Sequence, residues 1–200
     1  MLSKSSKGRI QTSNSFDYVW KIIVGGAGGV GKTSLLHRYI HNEFKEDMKM
    51  TIGCQFHNQQ LDRQGKRISM VMWDLGGQER FRFIQGDYIR GATGAFLLYD
   101  LTDIQTFENI FEEWIPLVRK NANPTIPIVL VGTKMDLVDE GQLKAMNLHA
   151  QNLAQQHGLS AVTTTSAKWN INVEETILYL VDLLIWQAYM AEQTAGSVPC

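Results

Sequence analysis

Short runs of β-branched and apolar residues alternate along the chain with longer segments in which apolar residues recur every three or four positions. The short runs indicate strands, and the longer segments indicate helices that cover a sheet on both faces. A hairpin turn at residues 63–66 joins the second strand to the third, whereas the other connections are long enough for helical crossovers. We therefore predict an α/β domain with a mostly parallel six-stranded sheet. The predicted strands are 18–24, 51–61, 66–75, 94–100, 126–132 and 161–166.

The spacing of apolar residues identifies the buried faces of two predicted helices. The final helix has an apolar stripe of Val173, Ile177, Leu180, Val181 and Leu184. An earlier helix has a similar stripe of Phe107, Ile110, Phe111, Trp114 and Val118. Stripes of this spacing favour packing against a sheet. We expect one folded domain at residues 17–190, with flexible tails at residues 1–16 and 191–200.

Composition narrows the possible partners. Of the 200 residues 44% are apolar, and 19 basic against 20 acidic side chains give a formal net charge of −1. No overall positive field therefore favours nucleic acid or an anionic membrane. Cys54 and Cys200 show no disulfide pattern, and residues 1–16 lack the apolar centre of a secretory signal. We expect a cytoplasmic protein that does not bind nucleic acid.

A glycine-rich segment follows the first predicted strand. Residues 26–33 read Gly-Ala-Gly-Gly-Val-Gly-Lys-Thr, which fits the pattern G-x-x-x-x-G-K-[ST], and a helical pattern follows. Such a loop points backbone N–H groups at phosphate oxygens and adds the dipole of a helix N-terminus. Lys32 would reach the β- and γ-phosphates, and the Thr33 hydroxyl would bind Mg²⁺. The predicted phosphate-binding residues are Gly28, Gly29, Val30, Gly31, Lys32, Thr33 and Ser34.

A second group of polar residues follows the third predicted strand, at the strand end where open α/β sheets bind ligands. Asp74 is the predicted acidic partner of Mg²⁺, the Gly77 N–H would contact a γ-phosphate, and Gln78 would orient the attacking water. Thr51 follows a polar loop at residues 43–50 that is long enough to fold over a triphosphate. Its hydroxyl would complete the Mg²⁺ site. We therefore predict Gln78, Lys32, Thr51 and Gly77 as catalytic residues, and Thr33, Thr51 and Asp74 as metal ligands.

Two further motifs lie at predicted strand ends and favour guanine. Thr133-Lys134-Met135-Asp136 follows the fifth strand, and Ser166-Ala167-Lys168 follows the sixth. The Asp136 carboxylate can accept hydrogen bonds from N1–H and the exocyclic amine of guanine, a pair that adenine cannot donate. The Ala167 N–H would bond the guanine carbonyl, and the Lys134 stem would pack along the base. The predicted base-binding residues are Thr133, Lys134, Asp136, Ser166, Ala167 and Lys168.

Together these motifs resemble the small GTPases of the Ras superfamily over roughly residues 17–190. Residues 52–56, 70–73, 80–84, 88–92 and 98–102 look most like Rab proteins. The resemblance implies a P-loop NTPase G domain, GTP or GDP with Mg²⁺, and a role in vesicle traffic. It places Phe44 against the guanine edge, and it assigns Phe56, Trp73 and Tyr88, with Thr51, to an effector-binding surface. It further implies a monomer that is controlled by an exchange factor and a GTPase-activating protein.

The sequence departs from that family pattern in three places. Thr133 stands where most of the superfamily has Asn, although Rho-type members also have Thr. Gly76 stands where Rab and Ras proteins usually have Ala. Residues 196–200 contain neither a C-a-a-X box nor paired cysteines, so the C terminus does not support the peripheral membrane association that the resemblance implies.

The motifs predict slow hydrolysis of GTP, with Lys32 and Mg²⁺ neutralising charge while Gln78 holds the water. One alternative is a binding module that presents a guanine-nucleotide-dependent surface without hydrolysis. Another is an ATP-using P-loop enzyme, which has no use for the motifs at residues 133–136 and 166–168.

Overall fold

The computed structural model describes residues 15–78 and 82–195. Within these ranges the chain forms one six-stranded sheet in the order β2-β3-β1-β4-β5-β6. β2 is antiparallel to β3, and the remaining neighbours are parallel. The strands are β1 (Tyr18–Gly25), β2 (Cys54–Arg63), β3 (Lys66–Leu75), β4 (Gly94–Asp100), β5 (Ile128–Thr133) and β6 (Ala161–Thr164). The predicted α/β architecture is confirmed.

Helices connect the parallel strands. They are α1 (Lys32–His41), α2 (Arg82–Ile89), α3 (Ile104–Asn109), α4 (Ile115–Asn121), α5 (Glu140–Gln156) and α6 (Val173–Ala195). A single π-helical stretch, Ile110–Trp114, joins α3 to α4, and a short 3₁₀ turn, Met135–Leu137, follows β5. Pro116 lies in the first turn of α4, where its missing N–H is tolerated.

The core has two halves, one on each face of the sheet. β4 and β5 are buried at every position, because helices cover both of their faces. One apolar cluster packs α1 and α6 against the sheet, and it includes Leu35, Ile177 and Leu184. The other packs α3 to α5 against the opposite face and includes Phe107 and Trp114. The two apolar stripes predicted from helical spacing therefore lie in the core.

The hairpin between β2 and β3 turns at two residues with positive φ, Gln64 at 50° and Gly65 at 73°. Positive φ at both central positions matches the right-handed twist of the paired strands. This turn sits beside α6, because Arg63 and Gln64 both donate hydrogen bonds to Asp182. The edge of the sheet is thus fixed to the last helix.

Several predicted boundaries are wrong. β2 begins at Cys54 and not at residue 51, because Gly53 has φ 75° and interrupts the extended backbone. β6 ends at Thr164, since Ser166 leaves the ladder to pair with Ile171. α6 continues to Ala195, past the predicted end of the domain at residue 190. Residues 191–195 contain neither Gly nor Pro, so nothing in them stops a helix.

Parts of the predicted tails, residues 1–14 and 196–200, lie outside the described residues. Asp17, by contrast, exchanges two hydrogen bonds with the backbone of Arg67 at the start of β3. Among the residues that the structure describes, none of the helices combines the length and apolar character needed to cross a bilayer.

Candidate nucleotide-binding site

The glycine-rich loop lies between β1 and α1, as predicted. Gly26, Gly29 and Gly31 have φ values of 136°, 79° and 96°, a region that side chains disfavour. A β-carbon at Gly26 would stand 2.2 Å from the carbonyl oxygen of Leu98. The loop therefore fits tightly against β4 and leads into α1, whose first turn has no side-chain cap. Its backbone donors and the helix dipole suit an anion.

Lys32 begins α1 and is buried. Its Nζ donates to the carbonyl oxygens of Gly26 at 2.8 Å and Ala27 at 2.7 Å. Burial lowers the pKa of Lys32 to about 8, and the charge of Asp74 partly opposes this shift. The loop carbonyls thus hold the ammonium group against the glycine-rich loop.

Thr33, Thr51 and Asp74 bring three oxygen ligands together. Thr33 Oγ1 donates to Asp74 Oδ2 at 2.6 Å and lies 2.7 Å from Thr51 Oγ1. The second oxygen of Asp74, Oδ1, is buried and has no hydrogen-bond partner among the described residues. Burial raises the pKa of Asp74, and the hydrogen bond from Thr33 opposes the shift. An orphaned carboxylate oxygen beside two hydroxyls fits Mg²⁺, which prefers hard oxygen ligands.

Gly77 lies directly against the phosphate loop. A β-carbon at this position would stand 2.4 Å from the Gly26 carbonyl oxygen and 2.5 Å from the Gly28 nitrogen. Only glycine therefore fits without a shift of backbone. Gln78 follows and lines the same cavity as the loop. Both residues line the cavity at the end of β3.

The two base-recognition motifs also meet. Ser166 Oγ donates to Asp136 Oδ1 at 2.6 Å, and the Met135 N–H donates to the Thr165 carbonyl. Lys134 has φ 58°, and its Nζ lies 2.5 Å from Asp100 Oδ2. These contacts hold both loops in one arrangement, although the two motifs are about 30 residues apart.

Thr133 connects the base-recognition side to the phosphate loop. Its hydroxyl lies 2.5 Å from the Val30 carbonyl oxygen and 2.8 Å from the Tyr99 carbonyl oxygen. Thr133, which departs from the usual Asn, therefore contacts the phosphate loop through its hydroxyl. Thr165 lies nearby, and its buried hydroxyl has no partner among the described residues.

A single cavity of about 360 Å³ brings the predicted residues together. This volume lies within the usual range of small-molecule sites. The predicted residues that line the cavity are Gly28, Gly29, Gly31, Lys32, Thr33, Ser34, Phe44, Thr51, Gly77, Gln78, Thr133, Lys134, Asp136, Ala167 and Lys168. The other three, Val30, Asp74 and Ser166, are buried behind this lining.

Sequence reasoning missed several lining residues. They are Leu35, Lys45, Glu46, Met48, Lys49, Met50, Leu137 and Thr165. Five of them belong to the loop between α1 and β2, for which the sequence predicted closure over a ligand without naming contacts. No local motif marks these positions, because their place depends on how the loop folds back.

The three predicted surface aromatics form a contiguous group. The rings of Phe56 and Trp73 lie 4.5 Å apart in an edge-on arrangement, and those of Trp73 and Tyr88 lie 5.9 Å apart. Lys21 Nζ lies 3.6 Å from the Trp73 ring centroid. Phe56 is 58% exposed, whereas Trp73 and Tyr88 are half-buried against the core. Trp73 and Tyr88 thus pack against the core, while Phe56 leaves part of this aromatic group exposed.

This arrangement defines the class of protein. A glycine-rich loop between a strand and a helix, with a buried aspartate at the end of the adjacent strand, is typical of P-loop nucleotide-binding domains. The Ras family model matches residues 21–185. The chain therefore belongs to the Ras family and is a small GTPase; proteins of this family bind GTP or GDP and are controlled by regulators and effectors.

Similar proteins carry Rab names. The chain is 39% identical to Ras-related protein Rab2BV of Beta vulgaris over 191 residues, which cover 94% of this chain and 87% of that protein. It is 38% identical to Ras-related protein RABA2b of Arabidopsis thaliana, with 93% and 87% covered. It is 37% identical to Ras-related protein Rab-13 of Bos taurus over 174 residues, with 86% and 84% covered. The predicted resemblance to Rab proteins is confirmed.

Proposed function

We propose that the cavity binds GTP or GDP together with Mg²⁺, and that slow hydrolysis of GTP times a switch in effector binding. One observation carries this proposal: Lys32 and Thr33, Asp136, and Ala167, which come from three segments of the sequence, meet at one cavity with Asp74 behind its wall. The residues suit a phosphate chain, a divalent cation and a guanine base.

The phosphates bind to the loop and the start of α1. Backbone N–H groups there and the Lys32 ammonium supply positive charge to the anion. In the structure Lys32 donates to two loop carbonyls, which hold the ammonium at the cavity. The residues assigned to this role are Gly28, Gly29, Val30, Gly31, Lys32, Thr33 and Ser34.

The guanine base binds at Asp136. Its carboxylate accepts from N1–H and the exocyclic amine, while the Ser166 hydroxyl holds the carboxylate in place at 2.6 Å. The Ala167 N–H donates to the guanine carbonyl, and Lys134 and Phe44 pack against the ring. A site that bonds polar groups in this way rejects an analogue without them by roughly 10⁴–10⁵-fold, so ATP is a poor ligand. Thr133 and Lys168 complete this side of the site.

Mg²⁺ fits the oxygens of Thr33, Thr51 and Asp74, which lie within hydrogen-bond distance of one another. When bound, the metal neutralises negative charge on the phosphates. Within the protein, Gln78 orients the attacking water, and Lys32 stabilises the charge that develops on the γ-phosphate. An activating protein that adds an arginine would raise the rate by about 10³–10⁵-fold, so the isolated protein is slow.

Loss of the γ-phosphate changes the surface of the protein. Thr51, assigned to Mg²⁺, ends the first switch loop at residues 43–51, and Gly77, assigned to the γ-phosphate, lies in the second switch loop, which begins at residue 76. Without that phosphate both loops relax, and the surface around Phe56, Trp73 and Tyr88 loses the shape that an effector binds. An exchange factor then resets the switch by releasing GDP.

The Rab-named relatives support a role in vesicle traffic. The protein acts there as a cytoplasmic monomer, and its peripheral association with a membrane follows from that role. Nucleic acid is not a partner, since the formal net charge is −1.

The proposal is tested by phosphate release from GTP and ATP, each with and without Mg²⁺, together with binding of fluorescent GDP. Slow, Mg²⁺-dependent and GTP-selective release supports it. Equal use of ATP contradicts the roles of Asp136 and Ala167. Tight GTP binding without phosphate release supports the non-hydrolysing binding module instead.

The role of Gln78 is tested by Gln78→Leu. This variant should bind GTP normally and hydrolyse it more slowly in a single turnover. Gln155→Leu, on the exposed face of α5, is the matched control and should hydrolyse GTP at the wild-type rate. Wild-type hydrolysis by Gln78→Leu contradicts the assignment.

A further inference from the structure

Arg38, on α1, contacts three backbone carbonyls from two different loops. Its Nε donates to the Ala167 carbonyl at 2.7 Å, and its Nη2 donates to the Lys168 carbonyl at 3.2 Å. Its Nη1 donates to the Asn42 carbonyl at 2.8 Å. One half-buried guanidinium thus joins the base-recognition loop to the end of α1.

Asn42 marks the point at which the first switch loop leaves α1. It has φ 52°, in the left-handed region, and its N–H donates to the Arg38 carbonyl. The chain then continues into residues 44–51, most of which line the nucleotide cavity. Arg38 therefore contacts the start of this switch loop through both its own backbone carbonyl and its own guanidinium.

The opposite side of the base-recognition loop is also held. Ser166 Oγ donates to Asp136 at 2.6 Å and accepts from the Trp169 N–H at 3.0 Å. The loop at residues 166–169 is therefore fixed between Asp136 on one side and Arg38 on the other. Loss of either partner frees one side of it.

Two exposed contacts repeat the connection. Lys168 Nζ lies 3.2 Å from Glu46 Oε1, and Asn170 Nδ2 donates to Asn42 Oδ1 at 3.3 Å. Exposed contacts of this kind contribute little individually. They nevertheless join the same two loops as Arg38. Both contacts, like Arg38, therefore hold these loops together.

We propose that Arg38 is a positioning residue that couples the first switch loop to the base-recognition loop and thereby sets the rate of nucleotide release. The inference rests on the proposed guanine site. A partner that pulls the switch loop away from α1 breaks the hydrogen bond from Arg38 to the Asn42 carbonyl. The displaced guanidinium then no longer holds its hydrogen bonds to the carbonyls of Ala167 and Lys168. Displacement of the switch loop thus weakens guanine binding.

The test measures dissociation of fluorescent GDP from the full chain in Mg²⁺, with excess unlabelled GDP. Arg38→Ala should release GDP about tenfold faster or more, which corresponds to the loss of one charge-assisted hydrogen bond. Arg38→Lys retains one charged donor without the planar fork and should give an intermediate rate.

Arg119 supplies a matched control. It also donates to three backbone carbonyls, those of Pro124, Ile126 and Gly158, but none of these residues lines the nucleotide cavity. Arg119→Ala should lower the melting temperature and leave GDP release unchanged. Equal acceleration by Arg38→Ala and Arg119→Ala overturns the proposal, because the effect is then one of general stability.

A double-mutant cycle tests the coupling itself. Glu46→Gln should accelerate GDP release slightly in the wild-type background, as expected for an exposed contact, and have a smaller effect in Arg38→Ala, because the loops are already separated there. Strictly additive effects overturn the coupling. If wild-type protein binds GDP tightly and Arg38→Ala releases it at the wild-type rate, this inference alone fails, whereas absence of GDP binding by the wild type refutes the guanine site.

Discussion

Gly76 lies against the backbone of Thr51, so that a β-carbon at Gly76 would stand 2.6 Å from the Thr51 carbonyl oxygen. The Gly76 N–H donates to the Gly53 carbonyl at 2.7 Å, and the Gly76 carbonyl accepts from the buried Gln85 side chain at 2.9 Å. The first switch loop therefore closes directly on the residue that precedes Gly77, and α2 holds that residue from the other side.

Gly76→Ala should displace the Thr51 backbone, because the carbonyl oxygen it meets cannot move independently of the chain. Thr51 Oγ1 would then leave Thr33 and Asp74. A misplacement of about 1 Å at a catalytic group can cost roughly 10²-fold in rate, so we expect single-turnover GTP hydrolysis to fall by ten- to a hundredfold. Rapid-quench measurement with preloaded GTP checks this.

Gly141→Ala is the control for that substitution. In α5 the added methyl group meets only the Asp139 side chain, at 3.2 Å, and alanine favours a helix. This variant should hydrolyse GTP at the wild-type rate. A wild-type rate for Gly76→Ala as well means that the switch loop adapts to the methyl group without moving Thr51.

Much of the site could be predicted because its parts are local. The phosphate loop, Asp74 and the motif at Asp136 each follow a recognisable strand, and the ends of parallel strands meet at one edge of a sheet. Strand, loop and helix order therefore locates them without knowledge of side-chain packing. The two apolar stripes of the core are likewise local, because they follow from the three- and four-residue spacing of apolar side chains along each helix.

The contacts between loops could not be predicted in this way. Arg38 and the carbonyl it binds at Ala167 are 129 residues apart, and an arginine on a helix has no motif that names its acceptor. The sequence predicts that β2 begins at residue 51. The positive φ of 75° at Gly53, whose carbonyl accepts from the Gly76 N–H, delays the start of the strand. Such features follow from tertiary packing and not from local pattern.

Thr133→Val should loosen the link between β5 and the phosphate loop. The substitution keeps the shape of the side chain and removes a buried hydroxyl that lies within hydrogen-bond distance of the carbonyl oxygens of Val30 and Tyr99 and has one proton to donate. Loss of a buried hydrogen bond that leaves its acceptor unsatisfied costs about 1–3 kcal/mol. We expect a corresponding fall in the free energy of unfolding, measured in urea, and release of GDP that is roughly tenfold faster.

Thr163→Val removes a hydroxyl of the same size from β6. That hydroxyl lies 3.3 Å from Thr176 Oγ1 and does not line the nucleotide cavity. The control should leave GDP release unchanged. Acceleration of release by both variants would show that the hydroxyl of Thr133 has no special connection to the phosphate loop.

Asp136→Asn should change the preferred base. Asparagine offers one acceptor and one donor, which match N1–H and the C2 carbonyl of xanthine but not the exocyclic amine of guanine. We expect weaker binding of GDP, by on the order of 10⁴-fold, and tighter binding of XDP. Competition of the two nucleotides against a fluorescent analogue measures both. Asp139→Asn, at the N-cap of α5, should keep the preference for GDP, and equal responses of the two variants would contradict direct base recognition by Asp136.

Asp182→Asn should give a pH-dependent loss of stability. Arg63 donates to both carboxylate oxygens of Asp182, at 2.8 and 2.6 Å, and this hydrogen bonding holds the pKa of Asp182 below its usual range. A carboxyl with a lowered folded-state pKa stabilises the protein above its unfolded pKa of about 3.9, and the contribution disappears as pH falls through the folded pKa. Wild-type protein should therefore have the higher urea midpoint at pH 7, and its advantage over the variant should narrow below about pH 4.

Asp87→Asn distinguishes this pairing from a general effect of removing a negative charge. Asp87 lies 3.2 Å from Arg90, but both side chains are more than 70% exposed, so their attraction is screened. Its urea midpoint should match the wild type from pH 7 to pH 4. Because the Arg63 contact fixes the turn of β2 and β3 to α6, Asp182→Asn should also increase hydrogen exchange at residues 62–67, which Asp87→Asn should not. Equal exchange in the two variants would contradict a role for Asp182 in anchoring the hairpin.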